Sequence, residues 1–177
     1  FGFKVDTLDS LYLPRSGLLI DFNHAASVDA WGSDDDYKQV NLDLIYAGAL
    51  GKHSGFGGLR WHETYEGTAG FQNWYSLGGV TRFAAYQAEQ LHSENYALAY
   101  LGYTYELGKV LGRSAVLGGT VEYGKLWSEA LGFNISNYQT HGSVYFGFDS
   151  WLGTLMVGYG RSTEGDSNSF IELGRTR

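Results

Sequence analysis

Histidines at positions 24, 53, 62, 92 and 141 lie among many serines and 19 Asp and Glu residues, so every residue type of a nucleophile, base and acid triad is present. The spacing that would assemble them is missing. The Gly-x-Ser-x-Gly elbow that lifts a serine nucleophile off a strand occurs nowhere, and Gly165-Asp166-Ser167 reads as a solvated acidic turn. His62, near Glu63 and Glu106, reads as a polar filler of an interior rather than a general base. Asp34-Asp35-Asp36 offers oxygen ligands for Ca²⁺ but lacks the alternate spacing of a calcium loop, so it reads as solvated. Gly55-Phe56-Gly57-Gly58 has no helix after it to cradle a phosphate, and its glycines read as giving curvature or space to large neighbours. With no Cys there is no disulfide, thiolate nucleophile or CxxC zinc site. The expectation is a chain with no catalytic residue, no metal site and no cofactor.

The elements that carry these side chains are strands. Helical periodicity is almost absent, whereas two-residue alternation recurs between clusters of Gly, Asn, Asp and Ser. Leu18, Ile20 and Phe22 alternate with Asp21 and Asn23; Val40, Leu42, Leu44 and Tyr46 with Asn41 and Asp43; Leu59 and Trp61 with Arg60 and His62. The same rhythm sets Leu101, Tyr103 and Leu107 against Tyr100, Thr104 and Glu106, then Leu117, Val121 and Tyr123 against Thr120 and Glu122. Val144 and Phe146 oppose Ser143, Tyr145 and Asp149; Leu155, Val157 and Tyr159 oppose Met156 and two glycines; Ile171 and Leu173 oppose Glu172 and Gly174. The pattern predicts eight strands after Gly17, joined alternately by short links and long polar ones, as in an antiparallel up-and-down barrel. Residues 1–16 form a leading segment with a periplasmic turn, and 17–177 the barrel.

Composition decides what such a barrel faces. Charged residues make up 18% of the 177, below the ~25% usual in soluble domains, while 14 Tyr and 5 Trp are many. The net charge of −7, without clustered Lys or Arg, excludes a nucleic-acid footprint. No run approaches the ~18 consecutive apolar residues of a membrane helix, so a membrane crossing must use strands. At ~9–11 residues per spanning strand, this length closes only a small barrel alone. One strand face collects Asp21, Asn41, Asp43, Arg60, His62, Glu106, Glu122, Asp149 and Glu172, and suits a lumen in which opposite charges meet. Its core charge network comprises Arg60, His62, Asp43, Glu106, Glu122, Asp149 and Glu172. The opposite face is nearly continuous Leu, Val, Ile and Phe, with Tyr and Trp near segment ends, and suits lipid. The alternative is a soluble ligand-binding up-and-down barrel with the apolar face turned inward.

Leu77-Gly78-Gly79, followed by Val80-Thr81-Arg82-Phe83-Ala84-Ala85-Tyr86, lies inside the longest link. It resembles the loop of the BamA/TamA/FhaC outer-membrane superfamily, which reads Leu-Gly-Gly, several residues, then Val-Arg-Gly-Tyr or Phe. Ala84 and Ala85 occupy the Arg-Gly places and Arg82 lies two positions earlier, a weakened form closest to the patatin-fused PlpD-type branch. Leu11-Tyr12-Leu13-Pro14-Arg15-Ser16-Gly17 resembles the family's Phe-Pro-x-x-Gly turn, and Val121-Glu122-Tyr123-Gly124 its Phe-x-Asp-x-Gly strand. Phe170, Ile171, Leu173 and Gly174 resemble the terminal strand read by the barrel-insertion machinery, although the chain ends on Arg177 instead of an aromatic.

The resemblance implies the C-terminal half of a sixteen-stranded barrel. Such a half closes on itself, associates with a second copy into a larger barrel or pore, or is an excised piece. It also implies a non-catalytic membrane anchor or translocator domain in the bacterial outer membrane. Its partners would be outer-membrane lipids and lipopolysaccharide, the insertion machinery and, in the shared-barrel case, a homodimer mate. In the family the loop arginine docks on the strand acid, which implies a contact between Arg82 and Glu122. A closed eight-stranded lumen is filled by side chains, however, so the loop is expected to stay outside, with Arg60, rather than Arg82, neutralising lumen acids such as Glu106 or Glu122.

Overall fold

A computed structural model describes residues 1–27, 36–110, 112–128, 137–151 and 153–174. The strands are β1 (Gly2–Asp6), β2 (Gly17–Ser27), β3 (Tyr37–Leu50), β4 (His53–Gly67), β5 (Tyr75–Leu77), β6 (Leu91–Ser93), β7 (Asn95–Val110), β8 (Arg113–Trp127), β9 (Gln139–Ser150), β10 (Gly153–Ser162) and β11 (Ser167–Gly174). Among the described residues there is no α-helix, only one 3₁₀ turn at Phe71–Asn73. Nine strands form one antiparallel sheet in the order β1-β2-β3-β4-β7-β8-β9-β10-β11, and β5 and β6 form a separate ribbon inside the link between β4 and β7.

The eight expected strands after Gly17 are therefore β2, β3, β4 and β7 to β11, but the expected closed eight-stranded barrel is corrected in two respects. The leading segment, expected outside the barrel, supplies a ninth strand to the sheet. Its residues 2–6 alternate like any other strand, and Phe3 pairs with Phe22 and Val5 with Ile20. The ring is also not closed: β1 and β11 are edges, each paired on one side only among the described residues. Five residues of alternation are too few to distinguish a short edge strand from a loop, which is why the sequence pattern left β1 out.

Short links after β3, β7 and β9 lie at one end of the sheet, and the long links after β2, β4 and β8 at the other. Register then sorts every side chain by parity. Outward, Tyr46, Leu101, Val144 and Ile171 stand more than 60% exposed, in company with Leu59, Trp61, Leu117, Val121, Tyr123, Val157 and Leu173. Inward, His141 and Glu122 have no exposed surface, and Thr120, Ser143 and Asn168 are buried. The outside of this sheet is a largely apolar wall, while its interior combines buried polar side chains with apolar clusters, unlike a soluble sandwich, whose outward face is polar.

Inward glycines make room for inward rings. Phe56 lies across Gly102, Tyr100 across Gly58, Tyr145 across Gly118 and Phe170 across Gly158; a Cβ on Gly102 would sit 2.0 Å from the Phe56 ring. Two clusters fill the concave face. One joins Leu19, Ile45, Phe56, Tyr96, Leu98, Tyr100 and Leu126 to Leu77 and Phe83 of the long link. The other joins Tyr145, Met156 and Phe170 to Leu13 and Val80.

Candidate functional site

The long link between β4 and β7 enters the interior and docks there, contrary to the expectation that it stays outside. That expectation assumed a closed eight-stranded lumen, whereas nine open strands leave a concave face wide enough to receive backbone. Gly78 (φ +121°) and Gly79 (φ +90°) turn the chain inward, and Thr81 (φ 62°) and Phe83 (φ 73°) hold left-handed backbone that non-glycine residues rarely adopt. The turn is tied by Gly78 N–H to the Arg82 carbonyl (2.7 Å) and Arg82 N–H to the Gly79 carbonyl (3.0 Å).

Those left-handed residues aim successive amides at one point, forming the kind of backbone concavity that binds anions. The anion is Glu122. Its carboxylate accepts the N–H groups of Thr81 at 2.9 Å, Phe83 at 2.6 Å and Ala84 at 3.1 Å, and the Thr120 hydroxyl at 3.1 Å. Thr120 is bridged in turn to Ser143 at 2.7 Å. Glu172 accepts the Val80 N–H at 3.2 Å. The expected Arg82 to Glu122 ion pair is thus corrected: Arg82 is exposed, and the peptide groups around it hold the acid. A buried carboxylate is expensive unless its lone pairs are filled, and convergent amides do that without burying a second charge.

The far end of the loop is latched as well. Asn168 donates to the Tyr86 carbonyl at 3.1 Å, and the Tyr86 hydroxyl donates to Asp166 at 2.7 Å. Burial, aided by the bond to Asp166, pushes the Tyr86 phenol up to about 12. Phe83 is fully buried with its ring edge-on to His141, 5.1 Å between centroids. Gly160 lets the Ala84 carbonyl approach so closely that a Cβ there would lie 2.0 Å from the oxygen.

A second polar group lies under β5. Asp43 and Arg60 face each other across β3 and β4, with Nε 3.7 Å from Oδ1, and His62 Nε2 lies 3.4 Å from the same oxygen. Arg60 lies over the Tyr100 ring at 5.6 Å. His62 stacks on Tyr96 at 4.5 Å and meets Tyr75 edge-on at 4.8 Å, while the Tyr75 hydroxyl donates to Asn41. Arg60 therefore pairs with Asp43, not with Glu106 or Glu122. The direct cross-strand register of Asp43 and Arg60 explains that choice. Glu106 is taken at the short-link end by Arg15, 2.7 Å away, which also donates to the Gly51 carbonyl at 2.8 Å. There the segment 7–16 folds under the interior, placing Leu13 against Gly147 and the Tyr12 ring against Gly174.

Six of the seven charged residues assigned to one lumen network are consequently split among three places, and the side chain of the seventh, Asp149, lies outside the described residues. Leu77, Gly78, Gly79 and Tyr86 form the docked turn. Of the terminal-strand set, Phe170 and Gly174 face inward, whereas Ile171 and Leu173 are exposed outward. Asp34, Asp35, Arg175 and Arg177 lie outside the described residues. Among the described residues no serine hydroxyl is hydrogen-bonded to an imidazole nitrogen of His62 or His141, so none is aligned with either as a nucleophile. Sequence reading missed the contacts made by Tyr75, Asn168, Asp166, Gly160 and Arg15. For Asn168 and Gly160 the signal was available as inward parity on their strands; for the others it was not, because turns and links carry no alternation. No protein-family model matches the chain, and no curated protein matches it.

Proposed function

We propose that the chain is a transmembrane β-barrel segment of the bacterial outer membrane. On this reading it acts as a non-catalytic membrane anchor or translocator domain of the BamA/TamA/FhaC type, closest to the patatin-fused branch. The observation that carries the reading is the inverted sheet: large apolar and aromatic side chains stand exposed on one face, while Glu122, His141, Thr120 and Ser143 are buried on the other. In water that arrangement leaves a large apolar surface unpaid by burial; in lipid it is the stable orientation. Five of the strands, β3, β4, β7, β8 and β9, have 12–16 residues, enough to cross a bilayer when tilted. The inward Leu77-Gly78-Gly79 loop, held by the acid of β8, supports the family assignment.

The two free edges favour a shared ring as the second reading. Unpaired backbone groups cost several kcal/mol each in hydrocarbon, so β1 and β11 must find partners there, either each other or the same edges of a second copy. The test is the particle purified in detergent. A monodisperse protein that aggregates when detergent is removed supports the anchor, and its mass separates one chain from two. A protein that stays monodisperse without detergent overturns it in favour of a soluble ligand-binding barrel.

A further inference from the structure

Outside the docked loop, the outward face of the sheet carries a hollow whose chemistry the anchor role does not use. Register places Trp61, Ala97 and Lys125 in one row across β4, β7 and β8, Leu59, Ala99 and Tyr123 in the next, and Gly57, Leu101 and Val121 in the third. Small residues at 97, 99 and 57 between large ones leave two adjoining hollows of about 330 and about 540 Å³, which share Leu59, Ala99 and Tyr123. Their floor runs along β7 and then steps to β4, where Gly57 faces Leu101.

The lining of both hollows is apolar, but a cation borders the end nearest the long links, beside Ala97 and Tyr138. Lys125 Nζ lies 4.7 Å from the centre of the Trp127 ring and 5.2 Å from that of Tyr138, and Tyr138 stacks on Tyr123 at 4.9 Å and 12°. Among the described residues no carboxylate pairs with Lys125. Aromatic faces hold an ammonium without cancelling its charge, and a cation framed by Tyr and Trp at the border of an apolar wall sits where lipid headgroups lie.

We propose that this hollow binds one phosphate-bearing lipid, an acyl chain lying over Ala97, Ala99 and Gly57 and the phosphate meeting Lys125. The proposal rests on the membrane reading above. A peptide is the poorer occupant, because β4, β7 and β8 are paired on both sides and offer it no free main-chain hydrogen bonds.

The test is electron paramagnetic resonance of the full chain in phosphatidylcholine bilayers, comparing spin-labelled phosphatidic acid with spin-labelled phosphatidylcholine. Insertion is scored separately, in a variant that keeps Trp61 as its single tryptophan, by quenching with brominated lipid. The protein should hold phosphatidic acid about fivefold more strongly, the ratio expected for one lysine meeting the added negative charge near the membrane surface. Lys125→Gln should bring the ratio close to one, Lys125→Arg should keep it, and Ala97→Phe should reduce the immobilised fraction of both lipids. An inserted protein with no preference, or with a preference that survives Lys125→Gln, overturns the site alone. A protein that does not insert overturns the site and the membrane reading together.

Discussion

Glu122 of β8 accepts the backbone N–H of Phe83 at 2.6 Å, with both residues fully buried although they lie 39 positions apart. The bond joins a strand acid to a loop whose backbone is left-handed at Phe83, so each stabilises a feature of the other that is unfavourable alone. Strained backbone of this kind costs on the order of 1–3 kcal/mol per residue, and charge-assisted hydrogen bonds of about 1.5–3 kcal/mol each are large enough to hold it.

Replacing Glu122 by Gln keeps the shape but removes the charge and turns one acceptor into a donor facing backbone N–H groups. The variant should lose about 3 kcal/mol of loop docking. Limited proteolysis should then cut within residues 78–86 faster than in the parent protein, while the far-ultraviolet spectrum of the sheet is retained.

Gly160 tests the same dock by shape alone. Gly160→Val places carbon where the Ala84 carbonyl now lies and should release the loop as Glu122→Gln does. Gly142→Val is the control, because the nearest atom to a Cβ there, the Thr120 carbonyl oxygen, is 3.8 Å away. Protease protection of the loop should fall in the first variant and persist in the second.

The exposed wall should tolerate charge differently in lipid and in water. Leu101 is 72% exposed on β7. Leu101→Arg should cost about 2–4 kcal/mol of stability in a bilayer, as expected for a lipid-facing position near the midplane. Urea titration of the refolded protein in liposomes measures that loss, and a neutral outcome would place Leu101 in water.

Tyr86 gives the loop a pH limit. Burial first, then the bond to Asp166, raises its folded value to about 12, above the ordinary phenol value of 10. The stabilisation is therefore fully present below pH 10 and is lost as pH rises from 10 through 12. Spectrophotometric titration should show one late phenolate more in the parent protein than in Tyr86→Phe, and in the parent protein the loop should become protease-sensitive across the same interval.

Much of the fold was legible because a strand buried on one face writes that face into every second residue. The polarity of the faces was legible for the same reason: Glu122, His62 and Glu172 share parity with glycines and tyrosines, and Leu101 and Ile171 with aromatics. Closure was not legible, since it depends on whether the first and last strands meet, and no local pattern encodes that. The pairing of charges was equally hidden. Asp43 and Arg60 become neighbours only through the register of β3 with β4, and Arg15 reaches Glu106 only because segment 7–16 folds beneath the sheet. The link between β4 and β7 read as an external loop because its anchoring groups are backbone amides, which have no sequence signature beyond Gly78 and Gly79.

The central claim is that the apolar face meets lipid. Variants retaining a single tryptophan, either Trp61 on the outward face or Trp74 within the link, should be refolded into bilayers containing acyl-chain-brominated lipid. Trp61 fluorescence should be strongly quenched and Trp74 fluorescence spared, its indole N–H bonded to the Ala69 carbonyl at 2.9 Å. Equal emission from Trp61 with and without bromine would contradict a membrane-facing wall.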